Sequence, residues 1–358
     1  MKIGYISQDW SRYGGGITPN GCTWYRCIVP ANELIKNGIE CDVGTLALSK
    51  NGQIGVQLPD GTKSSGHSII VFKLSMHVSS LAAIDIAKGN GQKIVVDIDD
   101  WFDNLPDTNR AKDITDPEKN PINNRNIYFE IINRADAITC STEFLKEFYE
   151  KKHPDKPVFL VRNYIDLDRW PKFKRRDGKS VIGWMGATPW RANDLEQLSM
   201  FIGDYIKSRK LKFHHSGHIH SAEPAHKLLG IDPKFVTAEI MQPISNLPLL
   251  LRQFNVGIVP LNKIDFNRAK SYLKGLEYAA AGIPFVASNL PEYKLLSERG
   301  IGRIANSVDD WVYHLDELRS TKMRQDEAIV GYEILSEEFN ISLHADKWLS
   351  VFSAVSRL

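Results

Sequence analysis

The chain lacks the features that mark a membrane, secreted or metal-stapled protein. No apolar run approaches the roughly 20 residues that cross a bilayer. The opening Met1-Lys-Ile-Gly-Tyr-Ile-Ser7 reads as a β-strand rather than a signal peptide. Only four cysteines occur (Cys22, Cys27, Cys41 and Cys140), with no Cys-x-x-Cys pair and no metal-ligand spacing. That excludes a disulfide scaffold and fits reduced thiols in the cytoplasm. A strong charge of one sign is missing too: the net charge of +2 gives polyanions no general attraction, so nucleic acid would need a local patch. There is no Gly-x-Gly-x-x-Gly fingerprint, internal repeat or low-complexity tract. With 358 residues, 42% of them hydrophobic and 25% charged, the expectation is a soluble, cytoplasmic protein large enough for two domain cores.

The rest of the chain is organised around Asp265 to Ser288. Val256-Gly-Ile-Val-Pro260 reads as a buried strand that feeds a loop. A helix is expected from about Ala269, with Leu273, Leu276 and Ala280 on one face, ended by Gly282 and Pro284. A strand that delivers a loop onto a helix N-terminus suits an anion, because unpaired amides and the helix dipole favour negative charge there. Lys270 and Ser271 add a cation and a hydroxyl. Glu277 lies about 10 Å further along at 1.5 Å per residue, the reach from a diphosphate to its ribose. These residues point to a nucleotide-diphosphate ligand; the bland alternative is an amphipathic helix with a surface lysine and a solvated glutamate.

The run Lys270-Ser-Tyr-Leu-Lys-Gly-Leu-Glu-Tyr-Ala-Ala-Ala-Gly-Ile-Pro-Phe-Val-Ala-Ser288 resembles the donor-site helix of GT-B glycosyltransferases of family four. The resemblance implies that Glu277 holds the nucleotide ribose and that the helix start, with Lys270, Ser271 and Tyr272, holds the diphosphate. Where that family has a glutamate eight positions before Glu277, in contact with the donor sugar, this chain has Ala269. Donor identity and stereochemical outcome therefore stay open.

In the first half, Lys2–Ser7 is expected as the first strand of a Rossmann-like domain, followed by a glycine-rich turn at Gly14-Gly-Gly16 and a helix over residues 21–38 that Pro30 kinks or restarts. The glycines either let the backbone approach a ligand at a strand's carboxyl end or form a surface turn. By resemblance, Gly15 and Gly16 face the donor, and Arg26 is an anion or acceptor contact, against a surface salt bridge. Residues 50–66 look like a hairpin or insertion, and a helix is expected over 79–88. Lys93-Ile-Val-Val-Asp-Ile-Asp-Asp100 runs an apolar strand into carboxylates, which repel one another and need a partner or a purpose. Three readings compete for Asp97, Asp99 and Asp100. They hold an acceptor hydroxyl with one acting as base, they bind a divalent cation, or they cap the next segment. The resemblance favours the first and needs no metal; similar Asp-Ile-Asp-Asp segments occur in phage-encoded and polysaccharide-cluster enzymes. Residues 103–126 read as an acceptor-side loop or lid. Ser141 opens an amphipathic helix by a capping pattern.

Lys172, Lys174, Arg175, Arg176 and Lys179 form a basic stretch that is either a solvated linker or a nucleic-acid contact. Ser180-Val-Ile-Gly-Trp-Met-Gly186 opens a second Rossmann-like domain. There Gly186 allows close backbone approach, and Arg191, ahead of a helix over 194–207, can fork onto a diphosphate. In Leu211–His220, period two would put His214, Ser216, His218 and His220 on one strand face. No clear fourth ligand completes a zinc site, so His218 is kept as a phosphate or base contact. Helices are expected over 244–254, 309–324 and 343–355.

The expected fold is α/β with GT-B architecture: two Rossmann-like domains facing across a cleft. Residues 1–167 are the acceptor domain, 168–179 the linker and 180–340 the sugar-nucleotide domain, and 341–358 a helix packing back on the first domain. The expected activity is transfer of a sugar from a UDP- or GDP-sugar to an acceptor hydroxyl, with retention. Asp99, Asp100, Arg191 and Lys270 are the catalytic candidates. Donor contacts are Gly15, Gly16, Gly186, Arg191, His218, Lys270, Ser271, Tyr272 and Glu277; acceptor contacts are Arg26, Asp97, Asp99 and Asp100. No tightly bound cofactor or metal is expected. The acceptor is a glycan or lipid-linked sugar, a protein, or a modified DNA base. The rivals are a catalytically silent sugar-nucleotide-binding protein and a nucleotide-sugar epimerase.

Overall fold

A computed structural model describes residues 1–49, 52–171, 178–190 and 192–358. The chain forms two compact units. The first comprises Met1–Asn104, Ala111–Asn163 and Ile341–Leu358; the second comprises Leu105–Arg110 and Tyr164–Asn340. Arg191 and most of the basic stretch (Lys172, Lys174, Arg175, Arg176) lie outside the described residues.

The first unit is built on β1 (Lys2–Ser7), the hairpin β2 (Trp10–Tyr13) and β3 (Gly16–Pro19), β4 (Glu40–Leu48), β5 (Ile54–Gln57), β6 (Lys63–Ser64), β7 (Ile69–Lys73), β8 (Lys93–Ile98), β9 (Ala137–Cys140) and β10 (Val158–Leu160). Eight of these make one sheet in the order β10-β9-β8-β7-β1-β4-β5-β6. It is parallel from β10 to β4, with β5 and β6 added antiparallel at the edge. Every residue of β7 is buried, as a parallel strand covered on both faces requires. The helix Ala345–Val355 belongs to this unit and buries Trp348, Val351, Phe352 and Val355. Trp348 and Phe352 meet Tyr5 of β1 edge-on, with centroids 6.3 and 6.2 Å away.

The second unit carries β11 (Val181–Met185), β12 (Lys212–His218), β13 (Val236–Ile240), β14 (Val256–Val259), β15 (Phe285–Ser288) and β16 (Arg303–Ala305), all parallel, in the order β13-β12-β11-β14-β15-β16. This is the 3-2-1-4-5-6 order of dinucleotide-binding folds, and it reverses between β11 and β14.

Local structure departs from the sequence expectations at several points. The glycine turn does not lead from β1 into a helix; Gly14 and Gly15 (φ +57° and +83°) are the exposed tip of the β2–β3 hairpin, which demands two left-handed residues. Pro30 breaks nothing: Trp24–Ile28 winds as a π-helix into the α-helix Val29–Lys36, with Val29 N–H bonding back five residues to Trp24. Pro30 stands in the first turn of that α-helix, where its missing N–H costs no intrahelical bond. Thr142, not Ser141, caps the helix Glu143–Lys152. The helix expected over 194–207 is two, Ala192–Glu196 and Ile202–Ser208. That expected over 309–324 ends at Glu317, and Ser320 caps a new 18-residue helix, Thr321–Glu338. The helix expected from Ala269 starts at Leu273, after a separate turn of helix at Asp265–Arg268.

Candidate functional site

In the second unit the candidate site lies where strand order reverses, at the carboxyl ends of β11 and β14, the place where open α/β sheets bind ligands. β11 leads into Gly186 at φ +150°, where a Cβ would sit 2.8 Å from the Trp184 ring. Only glycine fits that turn. It is held from several sides. Gly186 N–H donates to the Ser216 carbonyl at 2.9 Å, and its own carbonyl lies 2.8 Å from His215 Nε2. Burial pushes the His215 pKa down to about 4, so at neutral pH the ring is uncharged and Nε2–H donates. Gly217, at φ +99°, comes so close that a Cβ would stand 3.1 Å from the Gly186 carbonyl.

The helix Leu273–Ala280 clamps the same strand end. Lys274 Nζ donates to the Met185 carbonyl at 2.6 Å and stands 5.0 Å from the Trp184 ring centre. Tyr278 Oη accepts from Met185 N–H at 3.2 Å and donates to the Ile258 carbonyl at 3.4 Å, bridging β11 to β14. The sequence reading passed over Lys274 and Tyr278; their spacing of four, one turn apart on a single helix face, was the available signal.

After β14, Leu261 N–H donates to Ser288 Oγ and Asn262 N–H to Asp194 Oδ1. Asn267 Nδ2 donates to Asp194 Oδ1 at 2.7 Å and to the Asn262 carbonyl at 3.0 Å. The loop is thereby tied to the first turn of the helix Ala192–Glu196 before it delivers Lys270 and Ser271 to the helix start. Lys270 is mostly buried, its Nζ 4.2 Å from the Phe266 ring centre. Tyr272 is fully buried, edge-on to Phe339. Glu277, at the fifth helical position, is 5% exposed, so the bland reading of a solvated glutamate does not hold. Ala269 is fully buried. Of the histidines, His214 bonds Thr237 and His215 the Gly186 turn. A register shift between Ser216 and His218 breaks the expected common face, and His218 ends β12 half-buried.

In the first unit two of the four acceptor candidates, Arg26 and Asp97, are buried and paired with each other. Arg26 is 1% exposed and forks onto Asp97, Nε to Oδ2 at 3.0 Å and Nη2 to Oδ1 at 2.6 Å. Its Nη1 donates to the Val161 carbonyl and to Asn163 Oδ1, and its guanidinium lies 5.4 Å from the Trp348 ring centre. Asp97, wholly buried, also accepts from Thr139 Oγ1 and pairs with Lys73 at 3.2 Å. Burial alone would raise its pKa; the charges of Arg26 and Lys73 overcome that and hold it down at about 2. These partners occupy both carboxylate oxygens of Asp97. Arg26 is an internal tie rather than a surface salt bridge.

Asp99 remains part-exposed. Lys73, itself fully buried, donates to Asp99 Oδ1 and to the Asp97 carbonyl at 3.3 Å. Burial alone would lower the lysine's pKa, but Asp99 and Asp97 hold it above its ordinary value, so it stays charged. Asp100 Oδ1 accepts from Trp101 N–H at 3.0 Å. The next residue after Lys73, Leu74, has φ +50°, a strained value for a leucine, at the β1–β7 reversal of this sheet. Asp103 is taken up by Tyr149 and Lys152.

No protein-family model matches the chain. A stretch of 179 residues is 27% identical to a protein of Bacillus subtilis (strain 168) provisionally named teichuronic acid biosynthesis glycosyltransferase TuaH. That match covers 45% of this chain and 42% of the relative, less than half of either. Among solved structures, sucrose-phosphate synthase of Thermosynechococcus elongatus matches at TM-score 0.66 over 99% of both chains, with 10% identity. Anabaena HepE, solved in complex with UDP, matches at TM-score 0.59 over 99% of this chain and 100% of its own, with 12% identity. Among the described residues no helix is long and apolar enough to cross a membrane. At these identities the likeness concerns the backbone alone, and the fold of this chain is the GT-B fold of glycosyltransferases.

Proposed function

We propose that this protein is a cytoplasmic glycosyltransferase of the family-four kind, moving a sugar with retention from a nucleoside-diphosphate donor to an acceptor hydroxyl. The observation that carries this reading is the meeting, at the strand-order reversal of the second unit, of the Gly186 turn with the Lys270–Leu273 entry to a helix bearing buried Glu277. The named relative and the UDP bound in HepE support it. On this reading Glu277 accepts from the ribose hydroxyls. Lys270, Arg191 and the backbone from Ser271 to Leu273 receive the diphosphate. The acceptor oxygen bonds to the anomeric carbon on the face from which the phosphate oxygen departs, which keeps the configuration; the leaving diphosphate keeps the electron pair, stabilised by those cations and amides. Asp99, oriented by Lys73, takes the acceptor proton, with Asp100 beside it. The acceptor is a glycan or lipid-linked sugar.

The test is nucleoside-diphosphate release from a panel of UDP- and GDP-sugars, with Glu277→Ala alongside. Release from one donor, lost in the variant, is the expected result. Absence of both release and thermal stabilisation with every donor refutes the donor site. One observation favours a second reading, a silent sugar-nucleotide-binding protein: buried Ala269 stands where the resembled motif has a sugar-contacting glutamate. Stabilisation by a donor without turnover on any acceptor would select it.

A further inference from the structure

The helix Leu273–Ala280 grips the end of β11 at both backbone poles of one residue. Lys274 Nζ donates to the Met185 carbonyl at 2.6 Å, and Tyr278 Oη accepts from Met185 N–H at 3.2 Å. We propose that Lys274 and Tyr278 are positioning residues of the donor site, which fix the distance from Glu277 to the Gly186 turn and hold it at the span of a nucleoside diphosphate. This inference deepens the donor-site reading above and rests on it.

Placement is the first argument. Glu277 stands about 4.5 Å beyond Lys274 along the helix and about 1.5 Å short of Tyr278, at 1.5 Å per residue. The two grips bracket the glutamate, and a helix that slid along β11 would carry Glu277 with it. Their other end closes on the turn. Lys274 Nζ lies 3.4 Å from where a Cβ on Gly186 would stand. Gly186 N–H is taken by the Ser216 carbonyl, and the Gly186 carbonyl accepts from His215 Nε2. Met185 and Gly186 are thereby held at all four backbone polar atoms. Any donor that the turn offers to a phosphate comes after them. One is at hand: the hydroxyl of Thr188, 2% exposed, has no hydrogen-bond partner among the described residues.

The second argument is what each bond does for the fold. Lys274 and Met185 are both part-exposed, so water serves the carbonyl when the lysine is gone, and the bond adds little to folding. Its use is orientation. Tyr278 is the opposite case, with no exposed surface. A Cβ on Gly257 of β14 would stand 2.6 Å from its ring, so that glycine makes room for it, and the hydroxyl also donates to the Ile258 carbonyl at 3.4 Å. At that depth the hydroxyl touches no ligand, and any effect it has on the donor passes through Met185.

The experiment compares Lys274→Met and Tyr278→Phe with the wild type for affinity towards UDP and uridine, and towards GDP and guanosine, by titration in saturation-transfer NMR. Thermal unfolding without ligand checks that the variants fold. On the donor-site reading the nucleoside meets Glu277 but not the turn, whereas the diphosphate spans both. The expected result is a roughly tenfold loss of diphosphate affinity in Lys274→Met, about the worth of a hydrogen bond from a charged group, with a smaller loss in Tyr278→Phe and nucleoside affinity within about twofold of wild type in both. Equal losses for nucleoside and diphosphate would make the pair merely structural and overturn the proposal. A loss confined to Lys274→Met also overturns it, because the lysine then acts by its charge on the phosphate. Unchanged diphosphate affinity in both variants does the same. Should Tyr278→Phe fail to fold, hydrogen exchange at the Gly186 amide of unliganded Lys274→Met decides: faster exchange than in the wild type supports positioning, and an unchanged rate refutes it. A wild type that binds neither UDP nor GDP refutes the donor-site reading itself, and this assignment falls with it.

Discussion

Replacing Arg26 by methionine separates an internal ion pair from a substrate contact. The substitution removes both bonds to Asp97, the donor to the Val161 carbonyl and the donor to Asn163, all among residues at most 3% exposed. Breaking one partner of a buried pair costs about 3–5 kcal/mol, mostly because the survivor is left charged and unpaired. Here Lys73 stays 3.2 Å from Asp97 and Thr139 still donates, so the lower end, about 3 kcal/mol, is expected. With a urea dependence of about 1–3 kcal/mol per molar, the unfolding midpoint should fall by about 1–3 M. All four cysteines lie in the first unit and Cys27 and Cys140 are buried, so their labelling across a urea series reports this unit rather than the whole chain. The double variant Arg26→Met/Asp97→Leu should recover about 1–3 kcal/mol of the loss, since two neighbours in one network are not additive. An unchanged labelling midpoint in Arg26→Met, together with lost transfer to acceptor, would refute the structural role and restore Arg26 as an acceptor contact.

Gly186→Ala should cost about 1–3 kcal/mol through its backbone angle and the approach to Trp184, and should abolish stabilisation by UDP; wild-type UDP affinity in this variant would separate the turn from the donor site. His214 and His215 should make the second unit acid-sensitive. Burial holds both near pKa 4, against about 6.5 in the unfolded chain. The unfolded state therefore binds more protons between those values, so stability falls as pH drops from about 6.5 to about 4. Hydrogen-exchange protection of the β11 and β12 amides, corrected for intrinsic rate, should decline over that window, and a flat profile would contradict the buried neutral rings.

The strands were legible because parallel strands covered on both faces must be apolar nearly throughout. Ile69–Phe72, Ile94–Val96 and Phe285–Ala287 are runs that no exposed element carries. Their order was not legible, since pairing β11 with β14 as well as with β12, its neighbour in sequence, depends on contacts 70 or so residues apart. Helix ends misled where the backbone had a second option. Pro30 signals a break in any α-helical reading, yet it stands in the first turn of the α-helix that follows a stretch of π-helix. The hydrophobic pattern over 309–338 hides the stop that Ser320 imposes by capping a new helix.

The carboxylates of β8 show how far sequence chemistry reaches. Asp97 and Asp99 are two residues apart and so share a face, and the cost of clustered negative charge correctly demanded a partner. Two partners exist, and neither is near in sequence. Lys73 stands opposite Asp97 in the β7–β8 register and reaches both carboxylates; Arg26 arrives from the helix after the hairpin. Between them they neutralise Asp97 completely and Asp99 only from one side. That difference, invisible in the string Asp-Ile-Asp-Asp, assigns the first carboxylate to the core and leaves the second part-exposed beyond the carboxyl end of β8. It also explains a lysine with no exposed surface on an otherwise apolar strand: Lys73 joins the core to the candidate base, so the residue that stabilises the sheet also orients Asp99.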